Sequence, residues 1–217
     1  MIVTDGMMRD AFEGGGISVE PFGDKQIQAA TYDLRIGDQA VTTSSKEVRN
    51  LREKGFVVFE PGDFGFVTTL EVIKLSAEYA GRFGLRSSFA RKGLSATTGP
   101  QIDPGFHGRL IIGLTNLTPN PITLSHGDDF VSIEFHKLPQ PAQKPYSGPN
   151  QDVTGLRPED IAMVTEQKGM ALSEMIKSLS SLSANVGTLS TEVKNLKWIF
   201  GLGLAALAIL IAVVGLQ

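Results

Sequence analysis

The chain has 217 residues, 41% hydrophobic and 20% charged, with a formal net charge of -3 and an isoelectric point near 5.6. That balance excludes disorder over most of the length and argues against a general nucleic-acid binder, so no nucleic-acid partner is expected. There is no cysteine and there are three histidines, which excludes disulfides, thiolate metal sites, a cysteine nucleophile and a His-rich metal cluster.

In chain order, a short helix is expected first, with Asp5 as its cap, Met7 to Phe12 as its body and Gly14 to Gly16 as its stop. Short runs rich in Val, Ile, Phe and Thr follow, at 56–60, 64–70, 109–117, 121–125 and 129–138. They are divided by turn signals such as Pro61-Gly62-Asp63, Pro119-Asn120-Pro121 and His126-Gly127-Asp128. This spacing predicts a mainly β domain over 1–138, a sandwich or distorted barrel. No strand-helix alternation or Gly-rich nucleotide loop is present. Pro139, Pro141, Pro145, Pro149 and Pro158 mark 139–158 as an extended linker or arm.

A helix is expected over 159–198. Pro158, Glu159 and Asp160 read as its first turn and Gly169 as an interruption. Leu172, Met175, Leu179, Leu182, Val186, Leu189, Val193, Leu196 and Phe200 recur at alternating spacings of three and four. Such a narrow stripe predicts a coiled-coil stalk rather than a helix lying on a globular surface. Residues 199–216 are then uniformly apolar or Gly, about 27 Å as a helix at 1.5 Å per residue, close to a bilayer core. With Lys194, Lys197 and Trp198 just before it, segment 199–217 reads as a single-pass C-terminal membrane anchor with the preceding domain on the cytoplasmic side. Gly201, Ala205, Ala208 and Ala212 would let anchor helices pack closely.

Four stretches carry chemistry. Gln26 to Gly37 contains ATYDLRIG. Gly84 to Leu94 places Arg86, Ser87, Ser88 and Arg91 together, a set of guanidinium forks and hydroxyls suited to phosphate oxygens, although a solvated charged turn reads equally well. Thr98 to Gly108 sets Asp103 in a Gly/Pro-rich hairpin, where a carboxylate can orient or deprotonate water or be a plain turn residue. The fourth is Pro145-Tyr146-Ser147-Gly148.

In this order and at these distances, the opening helix, ATYDLRIG, EPGDFGFVTTLEVIKLSAE, LRSSFARKGL and IDPGFHG resemble the dCTP deaminase and trimeric dUTPase superfamily over about residues 1–150. The resemblance implies a distorted β-barrel or jelly roll, a homotrimer with active sites between subunits, and a pyrimidine deoxynucleoside triphosphate, dUTP or dCTP, as ligand. It implies phosphate binding by Arg86, Ser87, Ser88, Arg91 and Tyr146. It implies base and sugar binding by Gly99, Pro100, Gln101, Ile102 and Phe106. In the deaminases a glutamate lies ten residues after the hairpin aspartate; here that position is Gly113, which cannot shuttle protons. The retained Asp103 therefore points to hydrolysis of dUTP to dUMP and pyrophosphate, with Mg2+ carried by the triphosphate and no protein metal ligands. Ser132 stands where the family has a phosphate-holding glutamine, and Asp129 adds a negative charge nearby. These departures keep open a non-catalytic nucleotide-binding or sensing module, and dCTP deamination to dUTP is the third reading.

Overall fold

The computed structural model describes residues 1–166 and 172–214, with side chains described for 1–166 and 175–205. Gly169 lies outside the described residues, as do the side chains of 206–217, including Ala208 and Ala212. The described chain forms two compact units, 1–173 and 174–217.

The first unit runs α1 (Asp5–Glu13), β1 (Ile17–Glu20), β2 (Tyr32–Thr42), β3 (Arg49–Asn50), α2 (Leu51–Lys54), β4 (Phe56–Phe59), β5 (Phe64–Leu75), β6 (Tyr79–Leu85), α3 (Ser87–Ala90), β7 (Leu94–Ala96), β8 (Gln101–Ile102), β9 (His107–Asn116), β10 (Ile122–Ser125), β11 (Asp129–Lys137) and α4 (Pro158–Thr165). The second contains α5, Leu172–Val214, whose first residues fall at the boundary. The first helix begins one position earlier than a cap at Asp5 requires, so the cap falls on Thr4, and Gly14 closes it.

The main sheet has the order β7-β9-β5-β2-β11-β6-β8, all antiparallel, with β1 added to β5 and β3 to β2, while β10 and β4 form a separate pair. The expected barrel is thus a curled half-barrel. Its end strands, β7 and β8, are three and two residues long and do not pair with each other. The curl has a local cause. Pairing slips between Ile36 and Ala40 of β2, between Thr68 and Val72 of β5, and between Asp129 and Val131 of β11, and such bulges bend strands and increase twist. β2 thereby serves β11 through Tyr32–Arg35 and β5 from Ile36 onward.

Alternation on the strands selects the core. β11 buries Phe130, Val131, Ile133 and Phe135 and leaves Glu134 and His136 partly outside. Tyr32, Phe59, Phe130, Phe135 and Met8 are among the largest wholly buried side chains, each contributing roughly 1.5–3 kcal/mol by leaving water. Phe12 of α1 meets Tyr32 and Phe135 edge-on at 6.0 and 6.3 Å, which seats the helix on one end of the sheet.

Segment 139–158, expected as an extended linker or arm, packs back on the sheet. The Leu156 amide donates to Gln39 Oε1 at 2.8 Å, and Val164 of α4 is buried with Val41 and Phe66. In the second unit, the apolar stripe of α5 is exposed from Met175 to Phe200. Among the described residues no helix is long and apolar enough to cross a membrane; most side chains of the apolar segment 199–217 lie outside them.

One buried ion pair clamps the bend between β2 and β5. Arg35 Nε donates to Glu71 Oε1 at 2.6 Å and the Arg35 amide to Glu71 Oε2 at 2.9 Å, with Glu71 wholly buried. Burial pushes the Glu71 carboxyl up, and the hydrogen bonds and charge of Arg35 only partly offset this. Arg35→Met strands a buried carboxylate and is expected to cost roughly 3–5 kcal/mol of stability, read from denaturant midpoints. A raised folded value favours the folded state in acid and weakens it as pH rises. The loss in Arg35→Met should therefore shrink as pH falls through the range where Glu71 takes up its proton; a loss independent of pH would contradict this account.

Candidate active site

The sheet, its C-terminal return and α4 enclose a cavity of about 350 Å3 beside the 103–108 hairpin. Ile102 and Gln101 of β8, Asp103 and Phe106 of the hairpin, Ile111 and Ile112 of β9, Phe66 of β5 and Phe83 of β6 line it. The hairpin is tight. The Phe106 amide donates to Asp103 O at 3.1 Å, and Gly105 takes a φ of +87°, a left-handed conformation that glycine adopts without strain. A Cβ on Gly105 would also lie 2.6 Å from Pro145 Cβ.

Residues 145–153 strap this hairpin from outside. The Tyr146 amide donates to Pro104 O at 2.7 Å, Gln151 Nε2 to Gly105 O at 3.1 Å and the His107 amide to Gln151 Oε1 at 3.3 Å. The Asp152 amide donates to His107 O, and the Arg109 amide to Val153 O, both at 2.7 Å. Tyr146 and Phe106 rings lie 5.9 Å apart. Gln151 is thus a hairpin brace.

Of the expected site residues, Gly99, Gln101, Ile102, Asp103, Phe106 and Tyr146 meet at this cavity. Pro100 is not in the lining; its carbonyl accepts from the Phe83 amide at 2.9 Å. Arg86, Ser87, Ser88 and Arg91 do not line it either. They sit at α3, where Ser87, Ser88 and Arg91 are exposed. Arg86 is paired with buried Asp33 and lies 3.8 Å from Asp129, and Ser132 Oγ donates to Asp33 Oδ1 at 2.5 Å. Asp33 and Asp129 therefore balance the Arg86 charge within the chain, with Ser132 holding Asp33 in place. The negative charge of Asp129 faces a guanidinium.

Gly113 is packed over. A Cβ there would lie 2.6 Å from Thr97 Oγ1, 3.2 Å from Thr98 Cγ2 and 3.3 Å from Phe66 Cε1. Thr98 and Phe66 both line the cavity, so a Cβ at position 113 would press on its wall. Among the described residues Thr98 Oγ1 is buried without a hydrogen-bond partner.

Sequence reasoning missed the far wall. Asn150, Val153, Arg157 and Asp160 line the same cavity as Asp103. Arg157 donates through Nε and Nη2 to both Asp160 oxygens at 2.9 Å, and its amide donates to Asp160 Oδ2 at 3.1 Å. These are contacts of a helix N-terminus, and Pro158-Glu159-Asp160 signalled the helix without signalling what it covers. Arg109, also in the lining, donates to Asp38 at 3.0 Å, and Asp38 lies 2.9 Å from His126 Nε2. Burial pushes the Asp38 carboxyl up, but the hydrogen bonds of His126 and Arg109 and the charges of Arg109 and Arg52 outweigh it, leaving it below the ordinary range. Asp103 is exposed and, among the described residues, its carboxylate has no hydrogen-bond or ionic partner. No group of three or more His, Cys, Asp or Glu is placed to hold a metal ion among the described residues.

The family model described as dCTP deaminase-like matches residues 2–138. Over 140 residues the chain is 37% identical to the dCTP deaminase of Pyrococcus horikoshii, covering 64% of this chain and 88% of that protein. Over 178 residues it is 32% identical to the dUMP-forming dCTP deaminase of Aquifex aeolicus, covering 77% of this chain and 99% of that protein. Its fold is similar to that of the 2'-deoxycytidine 5'-triphosphate deaminase of Agrobacterium tumefaciens, with a TM-score of 0.53 at 24% identity over 63% of this chain and 48% of that one.

The hydrogen bonds of Arg157 hold the Asp160 carboxyl below its ordinary range, burial opposing them. A depressed folded value stabilises the docked helix above the ordinary carboxylate range and is lost as pH falls through it. Protection of the 158–165 amides, taken relative to their intrinsic exchange rate at each pH, should fall in acid. Asp160→Asn should lower that protection already at neutral pH and remove the acid response. An unchanged acid response in Asp160→Asn would contradict the assignment.

Proposed function

The chain belongs to the dCTP deaminase-like family, and from that premise we propose that it binds a pyrimidine deoxynucleoside triphosphate in the hairpin cavity, with Asp103 as the group that handles the proton of the attacking water. One observation carries this reading. Of the two carboxylates in the lining, Asp160 is engaged by Arg157, whereas Asp103 is exposed and unpaired among the described residues. A carboxylate with unused lone pairs can accept a proton from water.

The names of the relatives support dCTP as substrate more directly than dUTP, and the Aquifex name states dUMP as product. For deamination, water adds at C4 of the cytosine, ammonia departs, and Asp103 is the lining carboxylate left to carry the proton. Gly113, which carries no proton-shuttling side chain and is closely packed by Thr97, Thr98 and Phe66, favours the second reading, hydrolysis of dUTP. There Asp103 takes a proton from water, the oxygen bonds to the α-phosphorus, and pyrophosphate leaves with the bonding electron pair. Mg2+ belongs to the triphosphate substrate and offsets its charge. Backbone groups of 99–106 read the base edge, and Phe106 and Tyr146 form the apolar wall. Arg86, Ser87, Ser88 and Arg91 lie off this chain's cavity, which supports a homotrimer in which a neighbouring copy brings them to the phosphates. The same reading keeps 199–217 as a membrane anchor with the nucleotide site cytoplasmic, supported by its composition.

The test uses the full-length protein in detergent with Mg2+, dCTP or dUTP, and chromatography of the products. Formation of dUTP or dUMP from dCTP supports deamination, and dUMP with pyrophosphate from dUTP alone supports hydrolysis. In either case Asp103→Asn is expected to reduce turnover at least about a hundredfold while nucleotide binding changes little. Turnover unaffected by Asp103→Asn would contradict the assignment. Binding without any turnover would make the chain a nucleotide sensor.

A further inference from the structure

The exposed stripe of α5 carries an address. Met175, Leu179, Leu182, Val186, Leu189, Val193, Leu196 and Phe200 are each between 49% and 65% exposed. A helix whose remaining surface is largely Ser, Thr, Asn, Lys and Glu gains little by leaving such a row in water, since each buried methylene contributes about 0.8 kcal/mol. The strict alternation of three and four keeps the row on one seam of a helix underwound to 3.5 residues per turn. A helix lying on a globular domain or a membrane surface presents a broader apolar face.

The flanking positions state the orientation. With Val186 and Val193 at a and Leu182, Leu189 and Leu196 at d, the g positions are Ser178, Asn185, Glu192 and Ile199, and the e positions are Ile176, Ser183, Ser190 and Lys197. In parallel coiled coils a g residue faces the e residue of the next heptad on the neighbouring helix, five positions later. Glu192 and Lys197 are separated by that interval, and both are exposed. A shift of one heptad places Glu192 opposite Ser190 or Leu204, and Lys197 opposite Asn185 or Ile199. In an antiparallel pair g faces g and e faces e, so these four g and four e positions offer Glu192 no cation and Lys197 no anion.

We infer that α5 self-associates in parallel and in register with further copies of this chain, Glu192 of each copy pairing with Lys197 of the next. This deepens the self-association in the proposed function and is independent of its nucleotide chemistry. The stripe supplies the affinity and the pair supplies register, because an exposed ion pair contributes little by itself.

The absence of cysteine makes the test clean. Leu189→Cys in the full-length protein in detergent places one thiol at a d layer. In a parallel in-register assembly these thiols face each other and form a disulfide under mild oxidation, whereas an antiparallel assembly pairs d with a. Leu182→Cys repeats the test one heptad earlier, in case one layer tolerates the change poorly. In the Leu189→Cys background, Glu192→Lys and Lys197→Glu should each lower the association constant roughly threefold to tenfold, the scale of exposed charges. The double exchange should restore it. Oligomers by mass without either disulfide would overturn the parallel seam while leaving a trimer of the β domain intact. Single exchanges without effect, or without rescue in the double, would overturn the pair.

Discussion

The site depends on the strap that holds the Asp103 hairpin. The four-residue turn 103–106 that joins a two-residue strand to β9 has little to fix it from within. Its outer edge is instead held by the 145–153 segment, through backbone bonds at 2.7 Å on either side of Gly105 and through Gln151. The close approach of Pro145 permits only glycine at 105. Without this return the carboxylate would hang on a mobile turn. With it, Asp103 is exposed at the edge of a strapped cavity, the placement that the proposed transfer of a proton from water to its carboxylate needs.

The buried and half-buried charges around the sheet of the first unit are largely engaged with one another. Arg35 holds Glu71 at the bend, Arg109 and His126 hold Asp38, Arg157 holds Asp160, and Arg86 is balanced by Asp33 and Asp129. What is left for a ligand is specific: the Asp103 carboxylate, the backbone of the hairpin, two aromatic rings and the exposed α3 set of Ser87, Ser88 and Arg91. The last is remote from this chain's cavity, so a complete site needs either a second chain or a ligand that does not use it. Gly113, packed by Thr97, Thr98 and Phe66, supplies no proton-carrying group, and the proposed function leaves that role to Asp103.

Much of this was legible in the sequence. The strand runs, the hairpin, the helix begun at Pro158 and the 3-4 stripe follow from local alternation and turn chemistry, which act over a few residues. Three features were not legible. The half-barrel stays open because its end strands are short and its bends come from register slips, which depend on cross-strand partners. Segment 139–158 reads as a linker because proline density speaks of backbone stiffness and not of what the stiff segment packs against. Pro158, Glu159 and Asp160 read as a helix start, and only the docking of Val164 against Phe66 and Val41 turns that start into a cavity wall. The residues gathered at the cavity, Gly99, Gln101, Ile102, Asp103, Phe106 and Tyr146, were found through motif resemblance; spacing alone would have left Asp103 a turn residue.

On the proposed function, the strapped hairpin cavity selects a pyrimidine deoxynucleoside triphosphate. The most direct measurement is calorimetric titration of the full-length Asp103→Asn protein, in detergent with Mg2+, with dCTP, dUTP and dATP. A cavity of about 350 Å3 walled by Phe106, Tyr146 and the hairpin backbone should bind at least one of the pyrimidine nucleotides about tenfold or more tighter than dATP, the least that one well-made set of base contacts supplies. Equal affinity for dATP, or no binding of any of the three, would contradict the account.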